Sequence, residues 1–387
     1  MTEESIIDFK LRDFRGKKGG ENVKTPTVLI ARGYDRHIPM LASSGRPIVC
    51  ISDWQCETST QRYFWKQAWI ILKQRVGSKL LERALVIVAG DMASKDNALR
   101  GAKSDDVPDF SWLQESFPKG DILIVYGNHD YMSREHLQMI NQSSGVPSLL
   151  PHGSCVGLPV NGTRVNLVSP AEIDSILDGR QPTAGGPIQL ASVSQPAEVP
   201  DFLQYMTNDE QRAYYEKQPF PKNVKSSQNS SSVNALQWDR EHPEQARLTA
   251  CFRQVQSLVE ANGANLEEEG SPSMIRVGAV HGIPAAHTQG LQKIEREEYF
   301  QALSRVCDPS TPTDVLVTHC NPCVPGAQEA IVRGDDPRRI YSEFLRSQAC
   351  LHVCGHTHLD PPVSVVAEGK VVANADCRVI VFVPPSV

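Results

Sequence analysis

The chain lacks any apolar run of the roughly 18–20 residues that a membrane-spanning helix needs. From Met1 to Lys24 it is charged throughout, without the apolar centre of a secretion signal. Both absences argue for an intracellular chain, with the cytoplasm as the expected compartment. Positive charge is not in excess either: 39 Lys and Arg against 45 Asp and Glu leave a net charge of −6. No basic field is available to grip nucleic acid non-specifically. Closely spaced cysteines are few: the ten are scattered except for Cys320/Cys323 and Cys350/Cys354, in a 387-residue chain too large to need staples. Reduced thiols are expected in preference to a structural zinc built from those pairs. Glycine and proline, 26 and 27, are too few for a collagen-like or low-complexity chain.

What is present is a repeating pattern that begins at Pro47. Short runs rich in Ile and Val occur at 48–52, 84–89 and 121–126, each followed by polar residues and a stretch of helical spacing at 61–81 or 133–140. Continuous apolar runs of this length read as strands covered on both faces, and their alternation with helices predicts a layered α/β core. The pattern returns at 274–280, 315–318 and 351–353, interleaved with helices at 297–306 and 338–346. Three closing runs, 363–366, 370–373 and 379–383, read as short antiparallel strands. Residues 1–45 read as a loosely attached leader, 46–169 and 273–387 as two parts of one core. The tract 170–272 reads as a polar, partly flexible insertion with helical islands at 201–216 and 245–261, suited to a lid or to binding a protein partner. Just before it, 156–160, Asn161-Gly162 and 164–168 have the form of a tight β-hairpin.

The chemistry lies in the polar residues that directly follow these strands. Asp53-Trp54-Gln55, Gly90-Asp91, Gly127-Asn128-His129-Asp130, Thr318-His319 and Gly355-His356-Thr357-His358 each end an apolar run. Ligands of open α/β sheets bind beyond the carboxyl ends of the strands, so five such ends would deliver oxygen and imidazole donors to one place. Donors of that kind hold Mn, Fe, Zn or Mg. Seven of them exceed one open site and suggest two divalent ions roughly 3.5–4 Å apart, with Asp91 as the natural bridge.

In order and wording this series resembles the calcineurin-like metallophosphoesterases, whose pattern runs Asp-x-His, Gly-Asp, Gly-Asn-His-Asp/Glu, a lone His, and Gly-His-x-His. The resemblance implies a four-layer α-β-β-α sandwich with the metals at the C-terminal ends of the strands. It implies that one metal takes Asp53, Gln55, Asp91 and His358, and the other Asp91, Asn128, His319 and His356. His129 becomes the acid or phosphate-orienting group, and Asp130 its orienting partner. The implied reaction is hydrolysis of a phosphodiester or phosphomonoester, a nucleotide among the candidates, by attack of a metal-bridging hydroxide, most naturally with Mn. The chain departs from the pattern at Gln55, where an amide replaces imidazole and weakens the first metal position. A catalytically weak scaffold that binds a protein partner is therefore the alternative. Trp54 and His281 are candidate substrate contacts, each set against a role in the core. Arg333, Arg338 and Arg339 make only a thin basic stripe, so a nuclease is a third reading.

Overall fold

The structure is a computed structural model and describes residues 4–12, 24–93, 110–141, 147–159, 168, 170–179, 240, 242–263, 274–329 and 335–385. It is an α/β protein with two mixed, multi-stranded sheets. Runs of Ile and Val make the central strands β3 (Ile48–Ser52), β4 (Leu85–Val88) and β5 (Asp121–Ile124), every position of which is buried. They pair in parallel, as strands buried on both faces do. With β1 (Ser5–Lys10), β2 (Thr27–Arg32), β6 (Pro147–Leu149) and β17 (Arg378–Phe382) they form a sheet ordered β1-β2-β17-β3-β4-β5-β6. The second sheet is ordered β15-β16-β13-β11-β8-β7, from β7 (Ser154–Pro159), β8 (Met274–Val280), β11 (Val315–Thr318), β13 (Leu351–Cys354), β15 (Val363–Val365) and β16 (Val371–Asn374). Two short ribbons complete the described strands: β9 (Ile283–Ala285) with β10 (Lys293–Glu295), and β12 (Gln328–Glu329) with β14 (Leu359–Asp360).

The alternation of side chains along each strand sorts the core into three clusters. Val49, Ile51, Val86, Val88 and Ile124 of the larger sheet pack with Phe64, Trp65 and Leu72 of the helix Thr58–Arg75. Their neighbours Ile48, Cys50, Leu85, Ile87 and Leu123 point the other way and pack with Val277, Ala279, Val315, Val317, Leu351 and Val353 of the second sheet. Leu316, Cys354 and Val372 of that sheet meet Phe300, Leu303, Ile340 and Phe344, from the helices Arg296–Val306 and Pro337–Arg346. Burial of each large side chain contributes about 1.5–3 kcal/mol.

Two expectations change. The segment before residue 46, expected as a loose leader, supplies β1 and β2, and β2 pairs in parallel with β17 inside the larger sheet. The apolar residues 28–31 of β2 are buried, with β1 on one side and the distant β17 on the other. The closing strands do not form one antiparallel set: β15 is antiparallel to β16, but β16 is parallel to β13, and β17 joins the other sheet. The strand β7 pairs with β8, Ser154 opposite Ala279 through Pro159 opposite Met274. The Asn161-Gly162 turn and residues 164–167 of the expected hairpin lie outside the described residues, as does the helical island at 201–216. The other island is present as the helix Pro243–Gly263. With the helix Pro170–Leu177 it buries Ile173, Ile176, Leu248, Phe252 and Val255 in the first cluster, so both ends of the polar tract are anchored.

His281 belongs to this core and not to a substrate pocket. It is fully buried; its Nδ1 accepts the Tyr126 N–H at 2.9 Å and its Nε2 donates to the Leu150 carbonyl at 2.6 Å, an arrangement that needs the neutral ring. Burial lowers its pKa to about 4, against the pull of the Leu150 bond. Burial also lowers His352 to about 3 and, with the charge of His281, takes His152 well below the usual histidine value. In the unfolded chain all three bind protons near pH 6.5; in the folded chain they do not. Their depressed folded values therefore give stability that is present above about pH 6.5 and lost as pH falls, down to about pH 4 for His281 and about pH 3 for His352. Each contributes a slope of up to about 1.4 kcal/mol per pH unit. Urea midpoints should fall as pH drops from 6 to 4.5, where the three histidine slopes together outweigh the opposing slopes of Asp53 and Asp130, whose folded pKa values of about 8 and about 6 lie above their unfolded ones; a flat profile over that range would contradict neutral burial.

Candidate metal centre

The loops that follow β3, β4 and β5 in one sheet, and β11 and β13 in the other, meet at one end of the two sheets. Motif glycines allow the approach. A Cβ on Gly127 would collide with Asp91 Oδ1, and one on Gly355 with Asp53 Oδ2 and Ser52 Oγ. The backbone is also strained here: Asp53 (φ 58°), Gln55 (φ 44°), Asp91 (φ 55°) and His356 (φ 64°) are left-handed non-glycine residues. Such conformations cost about 1–3 kcal/mol each and gather at functional sites. Four of the seven expected metal ligands carry them.

Asp91, His319 and His356 bring one ligand atom each within 4.8 Å of one another, a group able to hold a metal ion. Asp91 is buried, with Oδ2 3.3 Å from His319 Nε2 and Oδ1 accepting the His129 N–H at 2.7 Å. The Nδ1 of His319 lies 2.8 Å from the Ala89 carbonyl, so that nitrogen carries a proton and Nε2 faces Asp91 and, at 3.1 Å, Asn128 Oδ1. This is how a carbonyl fixes the tautomer and direction of a metal-binding imidazole. Burial pushes the pKa of His319 down, but the charges of Asp91 and Asp53 more than offset it and raise it to about 10. Burial likewise pushes the Asp91 carboxyl up, and the charge and hydrogen bond of His319 hold it below the usual carboxylate range. A cation between them would stand where that proton stands. The ring of His356 lies 5.0 Å from that of His319, and its backbone N–H donates to Asp53 Oδ2 at 2.8 Å.

The donors expected around a first metal are arranged differently. Asp53 is buried; its Oδ2 accepts from Ser52 and His356, while its buried Oδ1 has no hydrogen-bond partner. Burial raises its pKa to about 8, with Asp91 and Asp376 adding to the rise and His319 opposing it. An unpartnered buried carboxylate oxygen suits a cation. The amide Nε2 of Gln55, however, donates to Asp91 Oδ2 at 3.1 Å, which spends on the amide a carboxylate oxygen that a metal would use. His358 has both ring nitrogens engaged: Nδ1 is 3.0 Å from Asp376 Oδ2, and Nε2 accepts from the Arg378 guanidinium at 2.6 Å. Its side chain is 58% exposed. The geometry therefore joins Asp91, Asn128, His319 and His356, and leaves Asp53 without imidazole support.

His129 stands at the rim, with Nε2 3.7 Å from Asp91 Oδ2 and the side chain 24% exposed. Asp130 does not orient it. The two carboxylate oxygens of Asp130 accept backbone N–H groups of Asp91 (2.7 Å), Met92 (2.9 Å), Ala93 (3.1 Å) and Gly127 (2.8 Å), clamping two site loops together. Burial and the charge of Asp91 raise its pKa to about 6 against the pull of the Gly127 and Ala93 N–H groups, so it is ionised at neutral pH. Trp54 is 1% exposed and stacks on Trp112 at 5.6 Å, packing beneath the site instead of forming a wall for a substrate.

Three residues that spacing did not reveal, Asp335, Asp376 and Arg378, complete the surroundings together with Cys320, which the sequence offered only as one of a closely spaced pair. Asp335 Oδ2 lies 3.1 Å from His356 Nε2. None of the three directly follows a strand in a recognisable polar motif. Among the described residues no helix is long and apolar enough to cross a membrane. No family model, curated protein or solved structure matches the chain.

Proposed function

We propose that the chain is a metal-dependent phosphoester hydrolase of the calcineurin-like class, built as a four-layer α-β-β-α sandwich. The three core clusters support the layering: helices, sheet, sheet, helices. The observation that carries the function is the meeting of Asp91, Asn128, His319 and His356, drawn from both sheets. Their oxygen and imidazole donors fit a divalent cation, Mn most naturally, with Fe, Zn or Mg as alternatives. When bound, such an ion neutralises phosphoryl oxygens and makes water a nucleophile near neutral pH. The chain's own residues do the rest. The Asp130 clamp holds the Asp91 and Asn128 loops in register, and the Ala89 carbonyl keeps Nε2 of His319 directed inward. His129, half-buried at the rim, is placed to hand a proton to a departing alkoxide. Asp53, with its unpartnered Oδ1 and no imidazole beside it, makes a second, weaker cation position.

After stripping and reloading with Mn, elemental analysis should find one tightly held equivalent per chain and a second only at high Mn. The loaded chain should hydrolyse bis(p-nitrophenyl) phosphate or p-nitrophenyl phosphate. Turnover of neither ester by the Mn-loaded chain overturns the proposal. One specific observation favours a second reading, a metal-binding scaffold without turnover: Gln55 and His358 are both committed to other partners. In that case the tract 170–272 is the segment to use as bait for a protein partner.

A further inference from the structure

We infer that Cys320, Asp335 and His356 form a cation site of their own, selective for thiophilic divalent ions such as Zn or Cd. One ligand atom from each lies within 4.8 Å of the other two. The side chains of Asp335 and His356 are nine-tenths buried or more, and Cys320 is wholly buried. His356 Nε2 is 3.1 Å from Asp335 Oδ2, yet it makes no hydrogen bond there or elsewhere. Two polar atoms sit at the separation of neighbouring metal ligands without the alignment of a donor and an acceptor. Ligands on a tetrahedral zinc, with bonds of about 2.0–2.3 Å, are about 3.3–3.8 Å apart, so small shifts would close the set.

The surroundings hold the three in place. The Thr318 hydroxyl donates to the Cys320 carbonyl at 2.6 Å, fixing the turn after β11, and the Gly355 N–H donates to the His319 carbonyl at 2.9 Å, tying that turn to the His356 loop. His356 itself is held in a left-handed conformation (φ 64°). On binding, the Cys320 thiol releases its proton to solvent, and thiolate plus carboxylate balance the two charges of the ion. Three protein ligands leave a fourth position for water. His356 also belongs to the Asp91 group, so the two sites share one imidazole. Oxygen-seeking Mn is drawn to the side of Asp91 and Asn128, and sulfur-seeking ions to the side of Cys320. The site stands whether or not the chain hydrolyses a phosphoester.

Titration of the metal-stripped full chain with Co tests it, because thiolate ligation gives a near-ultraviolet sulfur-to-cobalt charge-transfer band that oxygen and nitrogen ligands do not. The wild-type chain should show the band, Asp91→Asn should keep it, and Cys320→Ser should lose it with an unchanged circular dichroism spectrum. Should Cys320→Ser fail to fold, Asp335→Asn serves: the band should remain while Co affinity falls at least about a hundredfold, the upper end of what an outer partner alone costs. No band in the wild type, a band that survives Cys320→Ser, loss of the band in an Asp91→Asn chain whose circular dichroism spectrum is unchanged, or unchanged affinity in Asp335→Asn would each overturn the site.

Discussion

Asp91→Ala should abolish tight Mn binding and lower turnover of an activated phosphoester by at least about 10²–10³-fold. Among the described residues Asp91 is the one carboxylate that faces His319, His129 and Gln55 together, so none of them can replace it. The same change should destabilise the metal-free chain, since His319 is fully buried and loses the charge that holds its proton. Breaking a buried pair by removing one partner costs about 3–5 kcal/mol. Equilibrium dialysis against Mn and urea unfolding of the stripped chain measure the two effects separately. Retention of one tight Mn equivalent in Asp91→Ala would sink the assignment of the centre.

Asp130→Ala should be a stability defect first and a functional defect second. Its carboxylate accepts four backbone N–H groups in a buried position, and alanine leaves all four donors without that partner. At about 1 kcal/mol each, the low end for an unsatisfied buried donor, the loss is about 4 kcal/mol, a large share of an ordinary domain's stability. Metal affinity should fall with it, because the Asp91 and Asn128 loops lose their common anchor. An unfolding free energy within about 1 kcal/mol of wild type would show that the clamp is not structural.

The central strands were readable in sequence because β3, β4, β5, β8, β11 and β13 are runs dominated by apolar residues, and such runs need no partner to be recognised. The site loops were readable for the same reason: a polar residue placed directly after a buried strand has few positions open to it. Side-chain direction was not readable. Trp54 lies between two site residues in sequence, yet its indole turns under the loop to stack on Trp112. His358 is two residues from His356, but Asp376 and Arg378, contributed by the chain's last strand and the turn before it, capture its ring. Asp130 follows His129 and faces away from it towards the backbone. The strands β1 and β2 were missed because their place in the sheet rests on one distant contact: β1 pairs with β2, and β2 pairs with residues 378–382, which local pattern cannot express.

That last pairing has a consequence for how the chain is made. β17 lies between β2 and β3, parallel to one and antiparallel to the other, so the centre of the larger sheet is filled by residues 378–382, which are made long after both of their neighbours. Until then the nascent chain carries two unpaired strand edges that face each other across a gap one strand wide, each a template for a neighbouring polypeptide. Translation that stops before residue 378 yields a sheet split in two, with Asp53 on the edge of the break.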